Sequence, residues 1–249
     1  MKLPISLVVI TLNEEKNIVR CLKSAPWASE LLVLDSGSQD RTCEMAEGMG
    51  AKVVTEAWRG YGPQKRRAAE LATHDWIYAI DADEEISPEL SREIELKFSA
   101  FKNESAYRMP RKSFYLGRWI LHGGWYPDYQ TRLFNRRFSQ WNNNMIHERV
   151  EAKAIETLGF PILHYVFRDI EQHVATNNKY SGLQAVQYLE NGGHFSWFKF
   201  LTKPGSKFIE CYFLKLGFLD GFAGFVIAVG AGYSVFIRWA KIWQMSKQV

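Results

Sequence analysis

Cysteine is scarce in this chain. Three residues in 249, Cys21, Cys43 and Cys211, stand at spacings that suit neither a disulfide framework nor a metal cage. That scarcity excludes a stapled secreted scaffold, fits a reducing cytoplasm and leaves each thiol as core filler. Long apolar runs are few. The first, Ile5 to Leu12, covers eight residues and is met at once by Asn13-Glu14-Glu15-Lys16, so it has the profile of a strand and export is not expected. A glycine-rich phosphate loop is missing after that run, since Thr11-Leu12-Asn13-Glu14-Glu15 contains no glycine. Charge of one sign is also in short supply: the net is +4, and residues 197–249 alone hold seven Lys/Arg against two acids. Nucleic-acid proteins usually spread basic residues over a folded face, so no nucleic-acid partner is expected; basic residues gathered beside aromatic runs suit an anionic membrane surface better.

What is present suits a sizeable core. A chain 47% apolar and 23% charged folds as one large domain or as a domain with an appendage, and is not disordered. Its most informative stretch is Trp76-Ile77-Tyr78-Ala79-Ile80-Asp81-Ala82-Asp83, an apolar run of strand length that stops on two carboxylates. Asp81, Asp83, Glu84 and Glu85 would repel one another, so a cation is expected there. A hard divalent ion holding a sugar nucleotide's diphosphate is one answer. The other is a solvated acidic turn leading into a helix that starts at Ser87-Pro88-Glu89.

Earlier in the chain, strand and helix patterns alternate. Ile5 to Thr11 reads as a strand, Glu15 to Lys23 as a helix, and Leu31 to Leu34 as a second strand ending on Asp35-Ser36-Gly37-Ser38-Gln39-Asp40. Asp40 is placed to cap a helix over 41–49, and Lys52 to Thr55 follows as a third strand. Uniformly apolar strands separated by helices predict a parallel α/β sheet covered on both faces, with ligands at the carboxyl ends of its strands. The clusters at residues 11–14, 35–38 and 81–83 all fall at such ends. Between the third and fourth strands, Gly60, Gly62 and Pro63 make a turn before a helix running to about Ala72, with Lys65, Arg66 and Arg67 expected in its first turn. Cations there oppose the helix dipole and either attract a phosphate or are simply solvated.

Thr11-Leu12-Asn13-Glu14, Asp35-Ser36-Gly37-Ser38-Gln39-Asp40-Arg41-Thr42 and Asp81-Ala82-Asp83, in that order, resemble the nucleotide-binding half of family 2 inverting glycosyltransferases of the GT-A fold. The resemblance covers at least residues 5–90. It implies that Thr11, Asn13 and Glu14 lie near the uracil and ribose of a UDP-sugar, and that Asp35, beside Gly37, accepts the base N–H. It also implies that Asp83, with Asp81 and the intervening Ala82, meets a Mg2+ or Mn2+ ion at the diphosphate, assisted by Lys65 or Arg66.

Past Pro88 the chain changes character. A helix to about Phe101 precedes a strand over 107–116, which begins an acceptor-side half. In Gly123-Gly124-Trp125-Tyr126-Pro127-Asp128, the aromatics Trp125 and Tyr126 either stack on a sugar ring or plug the end of the sheet. Gln130-Thr131-Arg132-Leu133-Phe134 returns as a strand, and Arg132 is of a type suited to a phosphorylated or carboxylated acceptor. In Met145-Ile146-His147-Glu148, a carboxylate within reach of a sugar hydroxyl would remove its proton during attack. These residues resemble the small bacterial family 2 enzymes that build the lipopolysaccharide inner core, the WaaE/KdtX-like glucosyltransferases. That likeness places the base on Glu148, with Asp128 in reserve and Gln130 and His147 on the acceptor side. His147 is either a direct participant or a polar neighbour. His164 ends a further strand, as a phosphate or metal contact or as a buried structural histidine.

A long helix is expected from Asp169 to about Asn191. From Phe195 onward, aromatics alternate with Lys199, Lys203, Lys207 and Lys215, and Gly221 to Ile237 runs seventeen residues without a charge. Amphipathic helices lying on the membrane are the first expectation; a single C-terminal span and an oligomer interface are the others.

Taken together, residues 1–194 are expected to form a GT-A domain, with 1–90 the nucleotide-sugar half and 91–194 the acceptor half, and 195–249 a membrane-associating tail. The expected activity is metal-dependent, inverting transfer of a hexose, glucose first, from a UDP-sugar to a lipid-linked saccharide acceptor of the lipopolysaccharide inner core. It would take place at the cytoplasmic face of the bacterial inner membrane. Transfer to another envelope acceptor, a sugar nucleotidyltransferase and a non-catalytic membrane-binding module are the alternatives.

Overall fold

The computed structural model describes residues 2–142 and 148–247. The described elements run in the order β1 (Leu3–Thr11), α1 (Ile18–Lys23), β2 (Ala28–Asp35), α2 (Thr42–Gly48), β3 (Lys52–Thr55), α3 (Tyr61–Leu71), β4 (Trp76–Asp81), β5 (Glu84–Ile86) and α4 (Pro88–Lys97). Then come β6 (Ser105–Tyr115), β7 (Arg118–Trp119), β8 (Asp128–Asn135), β9 (Gln140–Trp141), β10 (Val150–Glu151), β11 (Ala154–Thr157), β12 (Ile162–His164), α5 (Ile170–Glu190), α6 (Trp197–Ile209) and α7 (Gly221–Ser246). They form two compact units, Met1–Arg111 with Tyr129–His164, and Lys112–Asp128 with Tyr165–Val249.

In the first unit the sheet order is β3-β2-β1-β4-β8-β6-β12-β5, with β11 added alongside β6. The strands β3, β2, β1 and β4 run parallel, and β8 turns antiparallel against β4 with Ile77 opposite Phe134. Period-two alternation sends Leu3, Ile5, Leu7 and Val9 of β1 into one core with Ile18 and Leu22 of α1 and Leu90 and Ile94 of α4. Val8 goes to the opposite face, with Leu32, Leu34, Ile77 and Ala79 against Ala68 and Ala69 of α3 and Ala72 just past its end. Both faces are thereby covered, which is why these strands are apolar throughout.

Helix boundaries follow their caps. Ser87 accepts from Leu90 N at 3.2 Å at the start of α4, with Pro88 where no N–H is needed. The helix α3 begins at Tyr61, with Pro63 in its first turn. Lys65, Arg66 and Arg67 therefore lie in the second turn rather than the first, where the dipole argument for an anion is weaker.

In the second unit, β7 pairs with the end of β6, Phe114 opposite Trp119. Asp169, the expected start of the long helix, caps α5 by accepting from Gln172 N at 2.7 Å. Helix α7 packs on both α5 and α6, burying Ala223, Gly224, Ile227, Ala228, Gly232, Trp239 and Ile242.

Candidate active site

The ends of β1 and β2 are tied to each other by their own loops. Thr11 lies opposite Asp35 in the register. Asn13, in a left-handed conformation at φ +57°, receives a bond from Gln39 N at 2.8 Å, while its own N–H reaches Ser38 Oγ at 2.8 Å. Glu14 N donates to Thr42 Oγ1 at 2.7 Å and Glu15 N to Asp40 at 3.1 Å. Asp40 also accepts from Thr42 N at 3.0 Å, so it secures the start of α2. The carboxylate of Asp35 is buried and gathers Gly37 N and Ser38 N, each at 2.8 Å, and Ser38 Oγ at 2.5 Å. Gly37 sits at φ +99°, a conformation that favours glycine, which lets the loop fold back onto that carboxylate. Thr11 Oγ1 is buried without a hydrogen-bond partner among the described residues. The first two motifs thus meet as one polar rim.

The third motif sits in a row of alternating charge. Arg111 lies 3.1 Å from Glu84, Glu84 2.6 Å from Arg132, Arg132 2.5 Å from Asp81, Asp81 2.9 Å from Lys65 and Lys65 2.9 Å from Glu148. Burial alone would raise the Asp81 carboxyl, but the charges of Arg132 and Lys65 overcome it and hold Asp81 well below the usual carboxylate range. For Arg132, burial would favour losing the proton, and Asp81 and Glu84 outweigh it, so the guanidinium is held more firmly charged. Arg132 is 1% exposed, with its Nε unpartnered among the described residues. Expected on the acceptor side, it is instead spent on two carboxylates within the first unit. Lys65 is equally enclosed, with Trp141 under its ammonium at 5.1 Å.

The cation that the acidic cluster demanded is therefore supplied mostly by the chain itself. Asp81 faces Lys65 and Arg132, Glu84 faces Arg111 and Arg132, and Glu85 lies 3.6 Å from Arg20. Asp83 differs, because its carboxylate lies 3.3 Å from His164 Nε2, at the end of β12 where His164 stands opposite Glu84. Ala82 between them is buried.

The other expected site residues are more dispersed. Arg66 lies 3.4 Å from Glu70 on the surface of α3, and Arg67 pairs with Glu56 at 2.9 Å, so among the described residues Lys65 is the cation of the three that joins the charged row. Asn142 accepts from Arg149 N at 3.2 Å and donates its own N–H to Arg149 O at 3.0 Å, which brackets Glu148. His147 lies outside the described residues. In the second unit Trp125 packs among Tyr115, Phe167 and His173 with centroids 5.7, 6.1 and 5.9 Å away, as an internal plug. Tyr126 precedes a cis bond to Pro127. Asp128 opens β8, and Gln130 is half-buried along it.

Sequence reasoning counted Glu84 in the acidic cluster without giving it a partner, and it passed over Arg111. A signal for Glu84 existed: an arginine followed by Leu133 and Phe134 in a buried strand demands a buried counter-charge.

A parallel sheet whose strand ends gather a loop-bound aspartate and an acidic turn, extended by antiparallel strands, defines a class: sugar transferases of the GT-A architecture. The family model described as "Glycosyl transferase family 2" matches residues 6–155, and the chain belongs to that family of enzymes. An uncharacterized glycosyltransferase of Rickettsia bellii (strain RML369-C) is 35% identical over 98% of this chain and 87% of its own length. The lipopolysaccharide core biosynthesis glycosyltransferase LpsC of Rhizobium meliloti (strain 1021) is 28% identical over 98% of this chain and 93% of its own. Among solved structures, glucosyl-3-phosphoglycerate synthase from Mycobacterium tuberculosis with Mn2+, UDP and glucosyl-3-phosphoglycerate is 32% identical over 45% of this chain and 44% of that one, at TM-score 0.35. That overlap is too loose to bear on this chain's ligand. The family, fold class and enzyme class implied by the strand-end motifs are borne out.

Proposed function

We propose that this enzyme transfers a hexose, glucose first, from a UDP-sugar to a lipid-linked saccharide of the cell envelope, by a single displacement that inverts the anomeric carbon. The observation that carries the reading is the division of labour among four neighbouring acids: three are matched by Arg or Lys, and Asp83 faces a histidine. A carboxylate oxygen and an imidazole nitrogen form a donor set that fits Mn2+ well and Mg2+ less well. No third His, Cys, Asp or Glu joins them among the described residues, which suits an ion that completes its shell with diphosphate and water. Asp83 and His164 would hold that ion, which when bound neutralises the leaving diphosphate.

The remaining work belongs to the chain's own groups. The rim of Thr11, Asn13, Glu14 and the Asp35 loop takes the nucleoside. Glu148, anchored by Lys65, accepts the proton of the attacking hydroxyl as the new glycosidic bond forms, and Asp128 is the second choice for that role. Lys65 also keeps Asp81 ionised. Asp81, though part of the acidic motif, serves as a counter-charge rather than as an ion ligand.

A lipopolysaccharide core acceptor is supported by the similarity to LpsC along nearly the whole chain. The basic, aromatic C-terminal region supports work at the inner face of the bacterial inner membrane. Incubating purified enzyme with a panel of UDP-sugars and truncated lipopolysaccharide acceptors, read by mass spectrometry, tests the assignment. One added hexose from UDP-glucose is expected; transfer from no UDP-sugar to any of these acceptors contradicts it.

A further inference from the structure

The second unit contains an apolar helix face that its own packing leaves open. Helix α6 buries none of its residues. Positions four apart, Phe200, Pro204 and Phe208, turn toward α7: Phe200 meets Phe236 at 5.2 Å, Phe208 meets Phe225 at 6.1 Å, and a Cβ on Gly232 would lie 3.0 Å from Pro204 O. The apolar arc continues past that seam to Phe198, 75% exposed, Leu201, 72%, and Ile209, 51%. Lys199, Lys203 and Lys207, also four apart, share the remaining flank. Lys207 is engaged by Glu210 at 3.0 Å, and Lys199, itself exposed, lies over the Trp239 ring at 5.6 Å and 3.5 Å from the Tyr188 hydroxyl, whereas Lys203 is exposed. Just past the end of α6, the exposed rings of Phe213 and Phe218 each meet Tyr212 edge-on, at 5.1 and 6.2 Å, and add further exposed apolar surface.

Helix α7 is the one described helix long and apolar enough to cross a membrane. Its partners argue against that use. Lys241 Nζ donates to Asn178 O at 2.6 Å, Asn178 Oδ1 at 2.7 Å and Ser181 Oγ at 3.0 Å, Arg238 reaches Gln184 at 3.3 Å, and Asn177 donates to Gly230 O at 3.4 Å. A spanning α7 would either drag this polar face of α5 into hydrocarbon or leave its own Lys241 and Arg238 stripped of partners there, and both are costly.

From these placements we infer that α6 lies flat in the surface of an anionic bilayer, with Phe198, Leu201 and Ile209 inserted and Lys199 and Lys203 at the headgroups, while α7 stays outside the hydrocarbon as its platform. The lysine row is the reason for choosing anionic lipid as the occupant: a protein partner would need matching acids, whereas phosphate headgroups supply them at every position. The choice of a bilayer rests on the lipid-linked acceptor proposed above; the open face does not.

The test is flotation of the full chain with phosphatidylcholine vesicles, with and without phosphatidylglycerol, alongside UDP binding in the absence of lipid. Wild type is expected to float with the anionic vesicles and to be released by high salt or alkaline carbonate. Phe198→Glu with Leu201→Glu should lower the partition by roughly tenfold or more, and Lys199→Gln with Lys203→Gln should abolish the preference for phosphatidylglycerol. Both variants should bind UDP as wild type does, which shows that they fold. Unchanged flotation of the first variant, resistance to carbonate, or a dimer in lipid-free solution that the first variant splits without loss of flotation would each overturn the inference. If wild type floats as described yet binds no UDP, the nucleotide reading fails and the membrane face stands.

Discussion

Replacing Asp81 by Asn distinguishes a structural counter-charge from an ion ligand. In the folded chain Asp81 is shared by Lys65 and Arg132, and its loss leaves the row with three cations and two acids, Arg132 being 1% exposed. Removing one partner of a fully buried pair costs about 3–5 kcal/mol. Asp81 keeps 27% of its side chain exposed, so solvent screens part of that loss. A cost of ~2–4 kcal/mol remains after that discount, which lowers the melting temperature by roughly 5–15 °C in a unit of this size. Asp83→Asn, which removes a carboxylate whose ion-pair partner among the described residues is His164, should move the apo melting temperature by no more than about 2 °C.

The acid dependence carries a sign. Because the folded Asp81 carboxyl is held below its ordinary value, its stabilisation is complete above the unfolded value, near about 4, and is lost as pH falls below it. Wild type and Asp81→Asn should therefore melt far apart at neutral pH, and the gap should begin to narrow as pH falls below about 4, where the unfolded chain takes up its proton while the folded carboxyl stays ionised. The assay is scanning calorimetry in EDTA across that range. Equal melting of wild type and Asp81→Asn at neutral pH, with the loss falling on Asp83→Asn instead, would refute the division of roles.

Three other outcomes follow from the same geometry. Glu148→Gln should lower turnover by about 10²–10⁴ with UDP affinity unchanged; unaltered turnover would move the search for the base to Asp128. His164→Ala should weaken Mn2+-assisted UDP binding by roughly tenfold or more and leave metal-free UDP binding as it was, measured by calorimetric titration. Lys65→Met should reduce both stability and turnover, since it frees Asp81 and Glu148 together. A turnover defect without a stability defect would mean that Lys65 contacts substrate rather than the row.

The parallel half of the fold was legible because burial on both faces writes itself as unbroken apolar strands, as in Ile5 to Thr11 and Trp76 to Ile80. The start of α4 was legible at Ser87 because cap and helix lie within four residues of each other. The partners of Asp81 were not. Lys65 comes from α3 and Arg132 from β8, and only the antiparallel return of β8 onto β4 brings the guanidinium to the acidic turn. An arginine in an apolar strand therefore read as a cleft residue, when its neighbours Leu133 and Phe134 were signs of depth. Trp125 was read with two fates, and the structure shows it packed against Tyr115, Phe167 and His173, ring contacts made across long sequence separations. In the tail, alternating Lys and aromatic residues announced amphipathic helices, but the pairing of α6 with α7 depends on Gly232 letting the backbone of Pro204 approach, which periodicity alone does not specify.

The most direct measurement is calorimetric titration of UDP into wild type and Asp83→Ala, with and without Mn2+. Wild type should bind UDP more tightly when Mn2+ is present, and Asp83→Ala should lose that gain while retaining its apo melting temperature. An Asp83→Ala chain that still gains from Mn2+ as wild type does would place the ion and the diphosphate somewhere other than the turn after β4.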